Sequence, residues 1–263
     1  MTTTPILLIH GIRLSSACWG QVSDQLAPGH PVLAIDLPGH GERRDERFTL
    51  PGAIETVRAG IDQLGGSALV VGHSLGGFTA MAAAAAHPDQ VAGLVVAGAT
   101  LTSGRPLATP FLLMHRLLSA RPDGGKAFSE RVFRRVLPPR VAADIARGGI
   151  ATEVIPEVAA ALTTFDPLAA LRAYPGPVRL INGGHDHFRL GEQRFLRASP
   201  DARLLVVPRS GHYLPLTHAA LFADLVADFS ASRSLVPWQR RAATPDRLRA
   251  WTTRSGPWAP PTT

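Results

Sequence analysis

A mostly parallel β-sheet with helices on both faces and an inserted helical cap is the α/β fold class that this sequence predicts, on three observations. Short, continuously apolar runs of strand length alternate with longer Ala- and Leu-rich stretches, the pattern of a sheet buried on both faces. The alternation stops between Thr100 and Gly176, where helical periodicity continues without intervening strands. One strand-to-helix junction also reads Gly72-His73-Ser74-Leu75-Gly76, a glycine-flanked serine at the point where a turn must be tight.

Taken in order, the expected strands are Ile6 to Ile9, Val32 to Ile35, Ala68 to Val71, Leu94 to Ala97, Val178 to Asn182 and Leu204 to Val207, each bounded by Gly, Pro or Asp. Helices fit at Pro51 to Leu64, Leu75 to Ala86, Leu190 to Ala198 and Ala219 to Ser230. In the strandless stretch, Phe111, Met114, His115 and Leu118 share one helical face, which either packs on the core or lines a substrate pocket. These readings divide the chain into a catalytic core of residues 1–100 and 177–230, a helical cap of 101–176 and a basic tail of 231–263.

At 263 residues the chain is long enough to bury a sizeable core without cross-links, and its one cysteine, Cys18, forms no intrachain disulfide. Residues 1–4 carry no basic n-region, and Ile6 to Ile9 is too short for a signal peptide or a membrane span. A cytoplasmic protein without membrane contact is expected. The formal charge of +7 invites a nucleic-acid reading, but five of those charges fall in the tail, where six arginines face Asp246 alone. The body is nearly balanced and carries no nucleic-acid motif, so no nucleic-acid partner is expected. The tail combines disorder-promoting Pro, Arg, Ser and Thr with Trp238, Trp251 and Trp258, which need apolar cover. Thr244-Pro245-Asp246 reads as a helix start, and docking of residues 237–258 on the body or on a second copy is expected.

The chemistry-bearing residues begin at Ser74. Glycines two positions either side allow the sharp turn that thrusts the serine oxygen into the open at a helix N-terminus, where backbone donors favour a developing oxyanion. Here the chain resembles the α/β-hydrolase family, on Leu8-Ile9-His10-Gly11, Asp36-Leu37-Pro38-Gly39-His40-Gly41, Gly72-His73-Ser74-Leu75-Gly76-Gly77, Asn182-Gly183-Gly184-His185-Asp186 and Ser210-Gly211-His212 in the family's order. The resemblance implies a triad in which Ser74 is the nucleophile, His212 the general base and then acid, and Asp186 the carboxylate that orients it. It also implies an oxyanion hole from the backbone N–H groups of Ile12 and Leu75, and no cofactor.

Rival residues have plainer readings. Asp166, in Phe165-Asp166-Pro167, reads as a helix N-cap rather than the acid. Of the ten histidines, His40 reads as a loop brace, His87 as a helix end, and His30 and His218 as solvent-facing. His185 and His187 flank Asp186, but no third ligand lies at a useful spacing, so no metal is expected. Trp19 reads as core packing. Phe111 and Met114 are the candidate pocket residues.

A serine at the elbow argues against relatives that use a carboxylate nucleophile. The first expectation is a carboxylic ester hydrolase acting on a small to medium, largely apolar ester or lactone through an acyl-enzyme. A carbon-carbon bond hydrolase or a thioesterase on the same triad is the alternative, and a ligand-binding receptor on the same fold is the non-enzyme alternative. Arg13 to Trp19 departs from the glycine-rich oxyanion loop of many lipases, which disfavours a bulky-acyl lipase.

Overall fold

The computed structural model describes residues 3–102 and 104–232. Six strands, β1 (Ile6–Ile9), β2 (Val32–Ile35), β3 (Ala68–His73), β4 (Val91–Ala97), β5 (Val178–Gly183) and β6 (Ala202–Val207), form one sheet in the order β2-β1-β3-β4-β5-β6. Every neighbouring pair is parallel. The helices are α1 (Gly20–Leu26), α2 (Leu50–Gln63), α3 (Leu75–Ala86), α4 (Arg105–Ser119), α5 (Lys126–Val136), α6 (Pro139–Gly148), α7 (Ile155–Thr163), α8 (Pro167–Ala173), α9 (Glu192–Ala198), α10 (Leu214–Thr217) and α11 (Ala219–Ser232).

Side-chain alternation along each strand divides the core in two. Leu7, Ile9 and Val70 face one layer with residues of α2, α3 and α8, while Ile6, Leu8, Leu69 and Val71 face the other with Trp19 and Phe222 of α11. Trp19 is fully buried and stacks on Phe222 with ring centroids 6.0 Å apart, as expected of a packing residue. Residues of this kind are each worth about 1.5–3 kcal/mol of burial. α3 is buried on nearly every side from Leu75 to Ala84, which explains why its sequence shows no polar face.

Between β4 and β5 the described residues make five helices, α4 to α8, and no strand. β4 and β5 are nonetheless direct neighbours, with Leu94 opposite Val178 and Ala97 opposite Ile181. The helical excursion therefore leaves and rejoins the sheet at adjacent strands. Asp166 caps α8, its carboxylate accepting from Leu168 N–H at 2.9 Å and Ala169 N–H at 3.0 Å. No helix among the described residues is long and apolar enough to cross a membrane.

His30 and His218, expected to face solvent, are half-buried instead. A His30 nitrogen lies 2.9 Å from Thr4 O, and His218 sits 2.8 Å from Thr217 Oγ1 in the loop before α11. The basic tail, with Trp238, Trp251 and Trp258, lies outside the described residues, as does the docking expected of it.

Candidate active site

The carboxyl ends of the central strands converge on Ser74, and the local sequence explains how. β3 ends at His73 and α3 begins at Leu75, so a single residue reverses the chain. That residue adopts φ 55° and ψ −116°, a conformation that costs a side-chain-bearing residue about 1–3 kcal/mol. The neighbouring glycines make it possible. A Cβ at Gly72 would strike the carbonyl of Gly76, one at Gly76 would strike the carbonyls of Ile9 and His10, and one at Gly77 would come 2.7 Å from Ala99 Cβ. Ser74 is 7% exposed and opens onto a cavity rather than bulk solvent.

His212 lies in the loop after β6, with Nδ1 3.2 Å from Asp186 Oδ1 and 3.1 Å from Oδ2. A carboxylate only accepts, so Nδ1–H is the donor. Asp186 Oδ1 also accepts from Phe188 N–H at 2.8 Å. Burial pushes the Asp186 pKa up, but the hydrogen bond from His212, the His212 charge and the Phe188 amide outweigh it and hold the carboxyl below its ordinary value. The loops carrying Asp186 and His212 are tied by backbone bonds from His185 N–H to Ser210 O (2.8 Å) and from Gly184 N–H to Val207 O (2.8 Å). Gly98, at φ 59°, leaves room for the pair, since a Cβ there would lie 3.0 Å from both Asp186 Oδ2 and His212 Nδ1.

His73, which the sequence left without a role, faces the same pair. Its Nε2 is 2.9 Å from the backbone carbonyl of His212, so Nε2–H donates and anchors the loop that carries His212. Its other nitrogen is buried without a partner, and burial, reinforced by repulsion from His212, pulls its pKa down to about 3. His73 is therefore neutral and acts as a peg between residues 73 and 212.

The opposite wall is the turn after β1. His10 donates from Nδ1–H to Gly11 O (2.9 Å) and accepts Leu37 N–H on Nε2 (3.1 Å). Asp36 accepts Ser16 N–H at 2.6 Å and Glu42 N–H at 2.9 Å. The first two glycine-containing motifs of the sequence are thus one interlocked brace for the turn at Gly11 to Arg13. Ile12 and Leu75 both border the cavity at Ser74, and Leu75, as the first residue of α3, has an N–H without an intrahelical acceptor. His40 is buried, donates to Pro38 O at 3.0 Å, and has its pKa pulled down by burial to about 3.

Two spaces meet at Ser74. A narrow apolar recess of about 30 Å³ is bordered by Leu75, Phe78, Phe111, Val158 and Leu162. A larger chamber of about 590 Å³ is shared by Ser74, His212, Arg13, Met114, Phe133 and Tyr213. Phe111 borders both spaces, whereas Leu118 of the same helix is buried and a His115 nitrogen lies 3.0 Å from Thr152 O. The helix face singled out in the sequence is therefore divided between lining and packing. His185 and His187 are both exposed, and among the described residues no three His, Cys, Asp or Glu side chains are grouped to hold a metal.

This geometry agrees with what the chain is similar to. Residues 6–225 match the model of the alpha/beta hydrolase family. The chain is 32% identical over 245 residues to a pimeloyl-[acyl-carrier protein] methyl ester esterase of Neisseria meningitidis, covering 85% of this chain and 92% of that protein. It is 30% identical over 247 residues to an esterase of the same name from Xanthomonas oryzae pv. oryzae, covering 86% and 95%. In fold it is similar to a solved structure from work on carboxylesterases of the thaumarchaeon Nitrososphaera gargenis, with a TM-score of 0.75 at 22% identity over 88% of this chain and 91% of that one. Sheet order, turn geometry and relatives together make this chain an enzyme of the alpha/beta hydrolase family.

Proposed function

We propose that the enzyme is a serine hydrolase that cleaves a small to medium carboxylic ester or lactone, largely apolar around the scissile bond, through an acyl-enzyme on Ser74. The carrying observation is that Ser74, held at φ 55°, shares a cavity with His212, whose Nδ1–H is committed to the buried Asp186. In this reading His212 Nε2 removes the Ser74 proton as Oγ attacks the carbonyl carbon, and the N–H groups of Ile12 and Leu75 receive the oxyanion. Each such donor lowers the barrier by about 3–4 kcal/mol. Protonated His212, steadied by Asp186, hands its proton to the departing alkoxide. Water then enters, gives a proton to His212 and a hydroxyl to the acyl carbon, and His212 returns that proton to Ser74 Oγ as its bond to the acyl carbon breaks.

The apolar recess at Phe78, Phe111, Val158 and Leu162 supports an apolar group beside the reacting carbonyl. In the same reading residues 101–176 are a lid over Ser74 that selects which group fits. The shared name of the relatives, methyl ester esterase, favours an ester over a carbon-carbon bond or a thioester. The test is fluorophosphonate labelling of the protein and of Ser74→Ala, alongside nitrophenyl esters of graded acyl length, a thioester, a lactone and the relatives' pimeloyl methyl ester. Labelling and ester turnover that both vanish in Ser74→Ala are expected. Labelling of Ser74→Ala at the parent rate would refute the assignment.

A further inference from the structure

Among the described residues, the chamber beside Ser74 contains a cation with no counter-charge. Arg13 follows Ile12 in the turn after β1 and, among the described residues, is one of three non-glycine residues with positive φ, at 70°. Its backbone is pinned by Ala151 N–H donating to Arg13 O at 3.1 Å. The side chain reaches across to α4 and α5, where one terminal nitrogen donates to Ser129 Oγ and the other lies 3.7 Å from Met114 Sδ. The guanidinium carbon stands 5.9 Å from the ring centroid of Phe133, and Nε is buried without a partner.

All of these are neutral contacts, and a thioether is a weak acceptor. Among the described residues no Asp or Glu pairs with Arg13, and none lines the chamber. The carboxylate beside His212, Asp186, is committed to His212 and Phe188. Eight other arginines, Arg43, Arg44, Arg47, Arg58, Arg140, Arg147, Arg172 and Arg189, each reach a carboxylate. A partly buried guanidinium with spare donors and a buried, unsatisfied Nε is costly unless something supplies the missing acceptor.

We infer that Arg13 is the specificity residue of the chamber, and that the substrate is an ester whose apolar body ends in a carboxylate that Arg13 receives. A planar carboxylate matches the guanidinium fork, and its negative charge answers a chamber lined, among the described residues, by an arginine and histidines but no acid. The strained φ of Arg13 has the corresponding use of projecting the side chain from the oxyanion turn into the chamber instead of along the strand. The inference rests on Ser74 being the nucleophile, and it sharpens the substrate class to half-esters of dicarboxylic acids or their equivalents.

The experiment compares monomethyl esters of dicarboxylic acids with methyl esters of monocarboxylic acids of the same length, in the parent enzyme, Arg13→Gln and Arg13→Lys. A charge-assisted hydrogen bond in a desolvated site predicts a kcat/KM preference of roughly ten- to a hundredfold for the carboxylate-bearing ester at the best chain length. In Arg13→Gln that ratio collapses towards one, chiefly through KM, and Arg13→Lys retains part of it. A ratio near one in the parent enzyme, or an undiminished ratio in Arg13→Gln, overturns the inference. A greater preference for a phosphate-bearing ester overturns the carboxylate assignment. Protection of Ser74 from fluorophosphonate by dicarboxylates, and not by monocarboxylates, supports the inference without relying on ester turnover. If neutral methyl esters are hydrolysed in a Ser74-dependent way without carboxylate preference, the inference alone fails. If Ser74 neither labels nor supports hydrolysis, the serine hydrolase reading fails and the inference with it.

Discussion

Replacing Asp186 with Asn tests the acid-base assignment most directly, because the structure dictates what the new amide must do. Asp186 now offers two acceptor oxygens, with Oδ1 serving both Phe188 N–H and His212 Nδ1–H, and Oδ2 serving His212 as well. Asparagine has one oxygen. Keeping the Phe188 bond places it at Oδ1 and turns the NH₂ towards His212, whose Nδ1 must then accept, so the ring proton moves to Nε2, where the serine proton has to go. The charge is also lost. A carboxylate about 4 Å from the charge centre of an imidazolium is worth about 4 kcal/mol at an effective dielectric of about 20, or roughly a thousandfold in rate. With the wrong tautomer added, kcat should fall by on the order of 10³–10⁴ while the melting temperature stays close to the parent. The assay is ester turnover by purified Asp186→Asn with Asp166→Asn as control, since Asp166 is an exposed cap on α8. A larger loss in Asp166→Asn, or a loss of only a few-fold in Asp186→Asn, would refute the reasoning.

Other consequences are open to simple assays. Gly76→Ala forces a methyl group onto the carbonyls of Ile9 and His10 and should cost on the order of 3 kcal/mol or prevent folding, whereas Gly211→Ala, with nothing within 4 Å of its Cβ, should melt close to the parent. Phe111→Ala should move the acyl-length optimum towards longer chains, and Met114→Ala should alter the profile through the larger chamber; an unchanged profile in both would count against a lid that selects substrate. His40, with its pKa pulled down to about 3, stays neutral when folded but takes up a proton when unfolded below about 6.5. Its contribution is complete above pH 6.5 and is lost progressively as pH falls towards 3, at about 1.4 kcal/mol per pH unit, or about 2 kcal/mol between pH 6.5 and 5. Urea unfolding of His40→Gln should show a correspondingly shallower loss over that interval, and an unchanged slope would mean that His40 is protonated in the fold.

How far the sequence could be read depended on whether a feature was local. β1 and β2 were legible to the residue because four consecutive apolar residues with clear boundaries have few other uses. β4 begins three residues earlier than expected, since Ala92 and Gly93 weaken the run while the neighbouring strands supply the hydrogen bonds. β6 begins earlier for a related reason, as Arg203 interrupts the apolar pattern but pairs in register with Arg179. α1 escaped notice because only Val22 and Leu26 mark its buried side. At the site, the turn around Ser74 announced itself through its glycines. Arg13 did not, because its partners lie 101 and 116 residues away on helices whose packing no local pattern encodes. The available signal was small: an arginine where the turn after β1 had no evident use for a charge. His73 was hidden likewise, since its bond to the His212 carbonyl spans 139 residues.

Entry and exit of the helical excursion at paired strands has a mechanical consequence. Strand neighbours lie about 5 Å apart, so the sheet experiences the intervening eighty or so residues as a bridge between two nearby posts, whatever the bridge contains. Closure entropy grows only slowly with the length of such a bridge, by about 0.6 kcal/mol for each doubling. Helix α4, which among the described residues adds no side chain to either core layer, can therefore lengthen or shorten at little cost to the sheet, whereas α5 to α8 are tied to it through residues such as Phe133, Ile145, Val158 and Leu171. Length added at α4 is thus borne by the bridge and not by the paired strands on either side of it.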